Sequence, residues 1–265
     1  VGTNAIVELS YSGGEILRTN TWFVYGTGTN GSGAIRKTSG SGNVTIPGRI
    51  VVNQDTVIRS DGGSLIVSNV ISGTPVITKL GSGTLELASN NTYSGKTHIS
   101  NGVVVITAND GLGTSAGDTT VISGGALEVR GVTSGEPLVL NGHGVSGTGA
   151  VYNDLTTAAA TLSAGVTLNA DSAIGGAGQL TLSGAIGGSG QFTKTGSGTN
   201  IVSGNNTFTG VAIVSNGILR VTHTNGLGTT AGGTFVRSGG AVEWAVSSGF
   251  PAENFTLAGS GVTNG

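Results

Sequence analysis

Apolar and polar residues alternate in short runs along this chain, and clusters of Gly, Asn, Ser and Thr separate the runs. In "GALEV" Leu127 and Val129 flank Glu128, and in "GAVEW" Val242 and Trp244 flank Glu243. A period of two places successive side chains on opposite faces, so such runs read as strands with one buried face. No stretch carries a helical period. Strands of roughly four to six residues, with a turn every six to twelve, describe an all-β chain.

The pattern is written twice. Shifting the sequence by 115 positions maps Lys79 onto Lys194, Gly81-Ser82-Gly83 onto Gly196-Ser197-Gly198, and Asn90-Asn91-Thr92 onto Asn205-Asn206-Thr207. Tyr93 falls on Phe208, Asn101-Gly102 on Asn216-Gly217, and "SGGA" at Ser123 on "SGGA" at Ser238. A weaker echo, "IRKTSGSGNVTI", begins at Ile35. Comparing the copies assigns faces. Arg220 occupies the place of Val105, so Leu219 and Val221 point inward with Val104 and Ile106; Arg237 faces out, which leaves Val121 and Val236 inside. By the same logic Leu127 and Val242 belong to the interior, and Glu128 and Glu243 to a solvated outer face. Two positions break the pattern: Asn200 stands where the first copy has the inward Leu85, and Phe235 reads as outward. Either the register slips there or Phe235 belongs to a contact surface.

The inward Leu85, Val104 and Leu127 recur at intervals near 20 residues. That spacing, with a polar corner between strands, predicts a right-handed parallel β-helix of roughly 11 to 13 coils, an open-ended segment running as a single continuous solenoid over 1–265. The copies span about 65–145 and 180–262, with the weaker one at about 31–60. A β-sandwich is the alternative, although its hairpins favour irregular spacing. Gly and Asn supply the corners, where backbone with positive φ is needed. Asn90-Asn91 and Asn205-Asn206 read as corners, with Asn ladders available between coils, and Tyr93 and Phe208 read as packing plugs.

The string Lys-x-Gly-x-Gly…Asn-Thr-aromatic-x-Gly makes the match specific. "TKLGSGTLELASNNTYSGKTHISNG" from Thr78 and "TKTGSGTNIVSGNNTFTGVAIVSNG" from Thr193 resemble the autotransporter-associated β-strand repeat, also called the passenger-associated transport repeat. Lys79, Gly81, Gly83, Asn91, Tyr93, Gly95, Thr97 and Gly102 fall on that pattern, as do Lys194, Gly196, Gly198, Asn206, Phe208, Gly210, Gly217 and Leu219. The resemblance implies a bacterial surface or secreted passenger carried out by a C-terminal translocator barrel. This sequence departs from it in having no barrel-like segment. It starts at Val1 without Met and stops inside a repeat unit, "AGSGVTNG", so the expectation is an excised or processed part of a longer chain.

Composition narrows the function. Of 265 residues 51 are Gly, yet only four are Pro, no strict triplet period exists, and 36% are hydrophobic, so the chain has the means to bury a core. Charged residues are 9% of the total, and 11 basic against 13 acidic side chains give a net charge of -2. Phosphate binding needs clustered Lys and Arg, so nucleic acid is excluded as a partner. No run reaches the ~18 to 20 apolar residues of a membrane-spanning helix, so the segment is not expected to be membrane-embedded. There is no Cys or Met, hence no thiol chemistry and no thiolate metal site.

Candidate chemistry is sparse. The acids are scattered, whereas a glycan-cleaving β-helix needs carboxylates ~5 to 9.5 Å apart on neighbouring coils. Asp55 and Asp61, with Arg59 between them, form the best local cluster. His98, His143 and His223 lack metal-ligand spacing, and no P-loop, nucleophile elbow or His-Glu-x-x-His occurs. "SDGGSLIV" at Ser60 and "AGDTTVI" at Ala116 hold the letters of a calcium-binding β-roll only in fragments. The sequence therefore assigns no catalytic residue, cofactor or metal. It points to an extracellular structural or adhesive β-helix, as a passenger stalk or as a segment that self-associates head to tail into fibres, with a host or matrix surface as the other partner. The alternative is a glycan-binding or glycan-cleaving β-helix.

Overall fold

A computed structural model describes residues 5–11, 13–247, 249 and 252–262. The two ends of the 1–265 span, residues 1–4 and 263–265, lie outside the described residues. Every strand pairing described is parallel, which rules out an antiparallel sandwich. The strands wind into a parallel β-solenoid of about ten turns, and two short 3-10 turns are the sole helical elements among the described residues. No helix is long and apolar enough to cross a membrane. The turns are fewer than the spacing predicts because some coils are long: register partners are 20 residues apart at Ile77 and Thr97, but 28 apart at Val7 and Ile35 and again at Thr133 and Thr161.

Contacts divide the chain into two compact units, Val1–Leu127 with Gly135–Pro137, and Glu128–Ser134 with Leu138–Gly265. Each has three columns of stacked strands. In the first unit one column runs through Val7–Leu9, Ile35–Lys37, Thr56–Ser60, Ile77–Leu80, Thr97–Ile99 and Thr119–Val121. A second runs from Glu15–Ile16 through Val44–Ile46, Ser64–Val67 and Thr84–Leu87 to Gly102–Ile106. The third, Trp22–Val24, Ile50–Val52 and Ile71–Gly73, continues as single bonds from the Thr92 and Ser94 amides to the Ile71 and Gly73 carbonyls.

The second unit repeats this plan. Phe192–Lys194, Ala212–Val214, Thr234–Val236 and Phe255–Leu257 stack in one column, and Ala160–Leu162, Leu180–Leu182, Thr199–Val202, Gly217–Val221 and Gly240–Trp244 in another. Inward rows are largely apolar. Leu65, Leu85 and Val104 stack in the first unit, and Leu180 and Leu219 in the second, all fully buried. Burial of each such side chain stabilises by about 1.5 to 3 kcal/mol.

Most face assignments from the sequence hold. Leu219, Val221, Val104, Ile106, Val121 and Leu127 are interior, and Arg237 is exposed. Asn200 causes no register slip, because it pairs squarely with Leu180 and Leu219 and is fully buried. Phe235 does face outward, 44% exposed. Glu243 is exposed and paired to Arg220 at 2.8 Å, but Glu128 is buried, contrary to the solvated position expected for it. The reason is local. Arg130, two residues on and thus on the same face, grips both Glu128 oxygens at 2.6 and 2.8 Å, and the Tyr152 hydroxyl approaches at 3.5 Å.

Candidate functional site

The two acids of the best local cluster in the sequence, Asp55 and Asp61, have different surroundings. Asp55 is exposed, and its Oδ1 accepts the Val76 amide at 3.0 Å, an ordinary corner bond. Asp61 is held by two guanidinium groups, Arg59 on Oδ1 and Arg36 on Oδ2, and Arg36 also meets Glu8 at 3.1 Å. Burial alone would raise the Asp61 carboxyl, but its bonds to Arg59 and Arg36 hold it below the usual carboxylate range. A carboxylate held by two guanidinium groups is a weak base, poorly suited to take a substrate proton. The histidines lie apart: His98 is in Thr97–Ile99, His143 is exposed, and the His223 Nδ1 accepts the Asn225 amide. No three His, Asp or Glu side chains among the described residues are grouped to hold a metal.

The chemistry of the repeat points inward instead. Lys79 and Lys194 are fully buried. Each ammonium has three donors and finds three backbone carbonyls. The Lys79 Nζ donates to Leu80, Gly81 and Asn101 at 2.9, 2.7 and 3.0 Å; the Lys194 Nζ donates to Thr195, Gly196 and Asn216 at 2.6, 2.7 and 3.0 Å. Lys37, in the weak third copy, does the same with Thr38, Gly40 and Gly62. Two acceptors lie in the lysine's own corner and one in a neighbouring coil, so each lysine staples coils together. Burial pushes the Lys79 ammonium down to about 7 and that of Lys194 down to about 8, and lowers Lys37 as well.

The glycines of the motif follow from this cup. Gly81 and Gly196 turn the chain at φ +82° and +73°, which aims their carbonyls at the ammonium. One coil on, Gly102 and Gly217 have φ +71° and +72° and leave room for the lysine head.

Asn and the aromatic secure the next corner. The buried Asn91 accepts the Ile71 amide at 2.7 Å and donates to the Gly111 carbonyl at 2.6 Å, each 20 residues away, so one side chain bridges three coils. Asn206 does likewise with Ile186 and Gly226, at 2.8 and 2.7 Å. These buried asparagines bind backbone; a ladder between side chains occurs at the exposed Asn225 and Asn205, 2.8 Å apart. Tyr93 and Phe208 are buried plugs, as expected. The Tyr93 hydroxyl meets the Thr97 Oγ1 at 2.8 Å, and Phe208 stacks on Phe192 with ring centroids 5.6 Å apart.

Two features escaped the sequence reading. Thr119 and Thr234, equivalent at offset 115, each bond a buried or half-buried carboxylate: the Thr119 Oγ1 donates to Glu136 at 3.0 Å, and the Thr234 Oγ1 to Glu253. Burial pushes Glu136 up to about 7, with Asp118 adding to it, and also raises Glu253. The carboxylates themselves are 117 positions apart, which hid the correspondence at a fixed offset.

The second feature is a loop. Gly28 to Ile35 and Gly144 to Val151 correspond at offset 116, and both contain a tight turn with a non-glycine residue at positive φ, Asn30 at +52° and Ser146 at +53°. In each the hydroxyl of Ser32 or Thr148 donates to the carbonyl three residues back, at 2.7 and 2.9 Å. A one-residue change of offset was the available signal.

The arrangement just described is what comparison with known proteins also picks out. The family model described as passenger-associated-transport-repeat matches residues 77–106 and 192–221, the two stretches that run from the lysine strand to the strand after the Asn-Gly corner. Among curated proteins the chain is similar to an adhesin, the BmaC autotransporter of Brucella suis biovar 1 (strain 1330), at 29% identity over 85 residues. That match covers 32% of this chain and 2% of the relative. No solved structure matches the chain significantly. Each of the two units thus contains one stretch that matches the passenger-associated-transport-repeat model.

Proposed function

We propose that this chain is a structural and adhesive β-helical segment of a bacterial cell surface, a passenger-like stalk that displays its outer face and performs no catalysis. One observation carries the reading: the motif side chains of both copies are spent on holding coils together, whereas outward positions differ between the copies. Lys79 and Lys194, Asn91 and Asn206, and Tyr93 and Phe208 are all buried. Thr120 and Phe235, and Ile122 and Arg237, are equivalent pairs on the outer side. A scaffold whose motif side chains are buried and whose outward side chains differ between copies suits display better than turnover, which would need a fixed outer constellation. The similarity to an adhesin supports the same reading.

The test is adhesion of beads coated with the purified chain to host cells and to matrix-coated plates, alongside incubation with a panel of acidic polysaccharides. The reading expects saturable adhesion and no release of new chain ends. Polysaccharide cleavage that disappears in Asp55→Asn or Asp61→Asn would replace it with the enzymatic alternative, and beads that adhere to nothing would remove the adhesive part.

A further inference from the structure

We propose that the outer face of the second unit binds an acidic polysaccharide in a groove of about 360 Å³ beside the 143–149 loop. The inference deepens the adhesive reading and rests on it, by naming a ligand class and the residues that take it.

The groove's floor is a row of outward side chains in register, Ala173, Thr193 and Ile213, and its wall is the loop at His143 and Gly147. The loop is pre-formed. Gly144 and Gly147 sit at φ +76° and +78°, and the Gly149 and Thr148 amides bond back to His143 and Val145 at 3.0 and 3.1 Å. The volume lies within the ~300 to 1,000 Å³ of typical ligand clefts.

The lining has a sign. Arg237 and His143 contribute nitrogen donors, Thr193, Thr195 and Ser215 hydroxyls, and Gln191 a carboxamide; no carboxylate lines the groove. Arg36, Arg59, Arg130 and Arg220 each meet a carboxylate, but Arg237 makes no ion pair among the described residues. An exposed guanidinium without an acid beside it is a fork for an external carboxylate or sulfate.

Phe235 completes the fit. It pairs in register with Ile213 on the groove floor and is 44% exposed. It precedes Arg237 by two residues on the same outward side, roughly 6 to 7 Å along the strand. An apolar ring beside a guanidinium and several hydroxyl groups matches the apolar ring face, acidic group and hydroxyls of a uronate or sulfated sugar. The first unit lacks these groups, with Thr120, Ile122 and Leu80 at the places of Phe235, Arg237 and Thr195.

The experiment is titration of the purified full chain with polygalacturonate, dextran sulfate and neutral dextran, by fluorescence anisotropy of labelled polymers. Saturable binding to one or both acidic polymers that weakens with salt is expected, and the preferred arm tells carboxylate from sulfate. Arg237→Gln and Phe235→Ala should each weaken it about tenfold, whereas Arg220→Gln, elsewhere on the outer face, should leave it unchanged. Both altered residues are solvent-facing, and unchanged urea midpoints will show that the fold is intact. Equal binding to neutral dextran, no binding to either acidic polymer, or full binding by Arg237→Gln would overturn the proposal. Bead adhesion to host cells that persists while polymer binding is absent would sink the groove and leave the adhesive reading standing.

Discussion

A Cβ placed on Gly102 would lie 2.9 Å from the Nζ of Lys79, and one placed on Gly217 would lie 2.8 Å from the Nζ of Lys194. The motif glycine and the motif lysine, in neighbouring coils, thus occupy one shared space. Substituting Gly102→Ala adds a side chain at φ +71° and drives it against both the ammonium and neighbouring backbone oxygens. We expect a loss of about 2 to 4 kcal/mol, with Gly217→Ala behaving alike, measured by the shift in urea midpoint. Gly147→Ala, which has φ +78° but open space, should cost only the backbone strain, about 1 kcal/mol.

The buried lysines give the fold a pH signature. The folded-state pKa of Lys79 is pushed down to about 7 from 10.5, so between those values the unfolded chain binds more protons than the folded one, and stability rises with pH. Glu136 acts in the other direction: its folded pKa is raised from 4.5 to about 7, so its contribution is present below 4.5 and lost as pH climbs through 7. The first unit should therefore be least stable near pH 7. Hydrogen exchange of its core amides across pH 5 to 9, corrected for intrinsic rates, checks this, and Lys79→Met should flatten the alkaline limb.

Asn200 is a weak point. Its carboxamide is fully buried, and neither its Nδ2 nor its Oδ1 has a hydrogen-bond partner. Leu180 and Leu219 lie on either side, and the first copy has Leu85 at this place. Asn200→Leu should stabilise the second unit by about 1 to 3 kcal/mol, the usual cost of an unsatisfied buried polar group. Leu85→Asn should destabilise the first by a similar or larger amount. An unchanged urea midpoint for Asn200→Leu would contradict this account.

Adjacent asparagines should differ sharply. Asn91→Ala removes two buried bonds and orphans the Ile71 amide and the Gly111 carbonyl, at an expected cost of about 2 to 4 kcal/mol. Asn90→Ala removes one exposed bond, to the Asp110 amide, and should cost less than about 1 kcal/mol. The contrast between the two midpoints is the measurement.

The inward rows were legible because alternation and an internal copy together fix which face is dry: an arginine in one copy marks the outward position in the other, as Arg220 does for Val105. Lysine burial was less legible. Lys79 stands two residues after Ile77 and Lys194 two after Phe192, so the period of two already placed them inside. What makes that tolerable, three carbonyls turned toward one point by left-handed glycines, is a property of two coils at once and is not written in any single strand. Glu128 misled for the same reason. Its cover comes from Arg130 and Tyr152, the latter 24 residues on, and no local pattern reports that.

Lys79 and Lys194 each take their third acceptor from a residue 22 positions downstream, and Lys37 takes one 25 downstream. A winding is thus unfinished until its successor arrives. If the chain folds from its N-terminus, the advancing tip carries at each of these three windings a wet, charged amine that the next stretch of backbone must cover, and order behind it is locked in at those points.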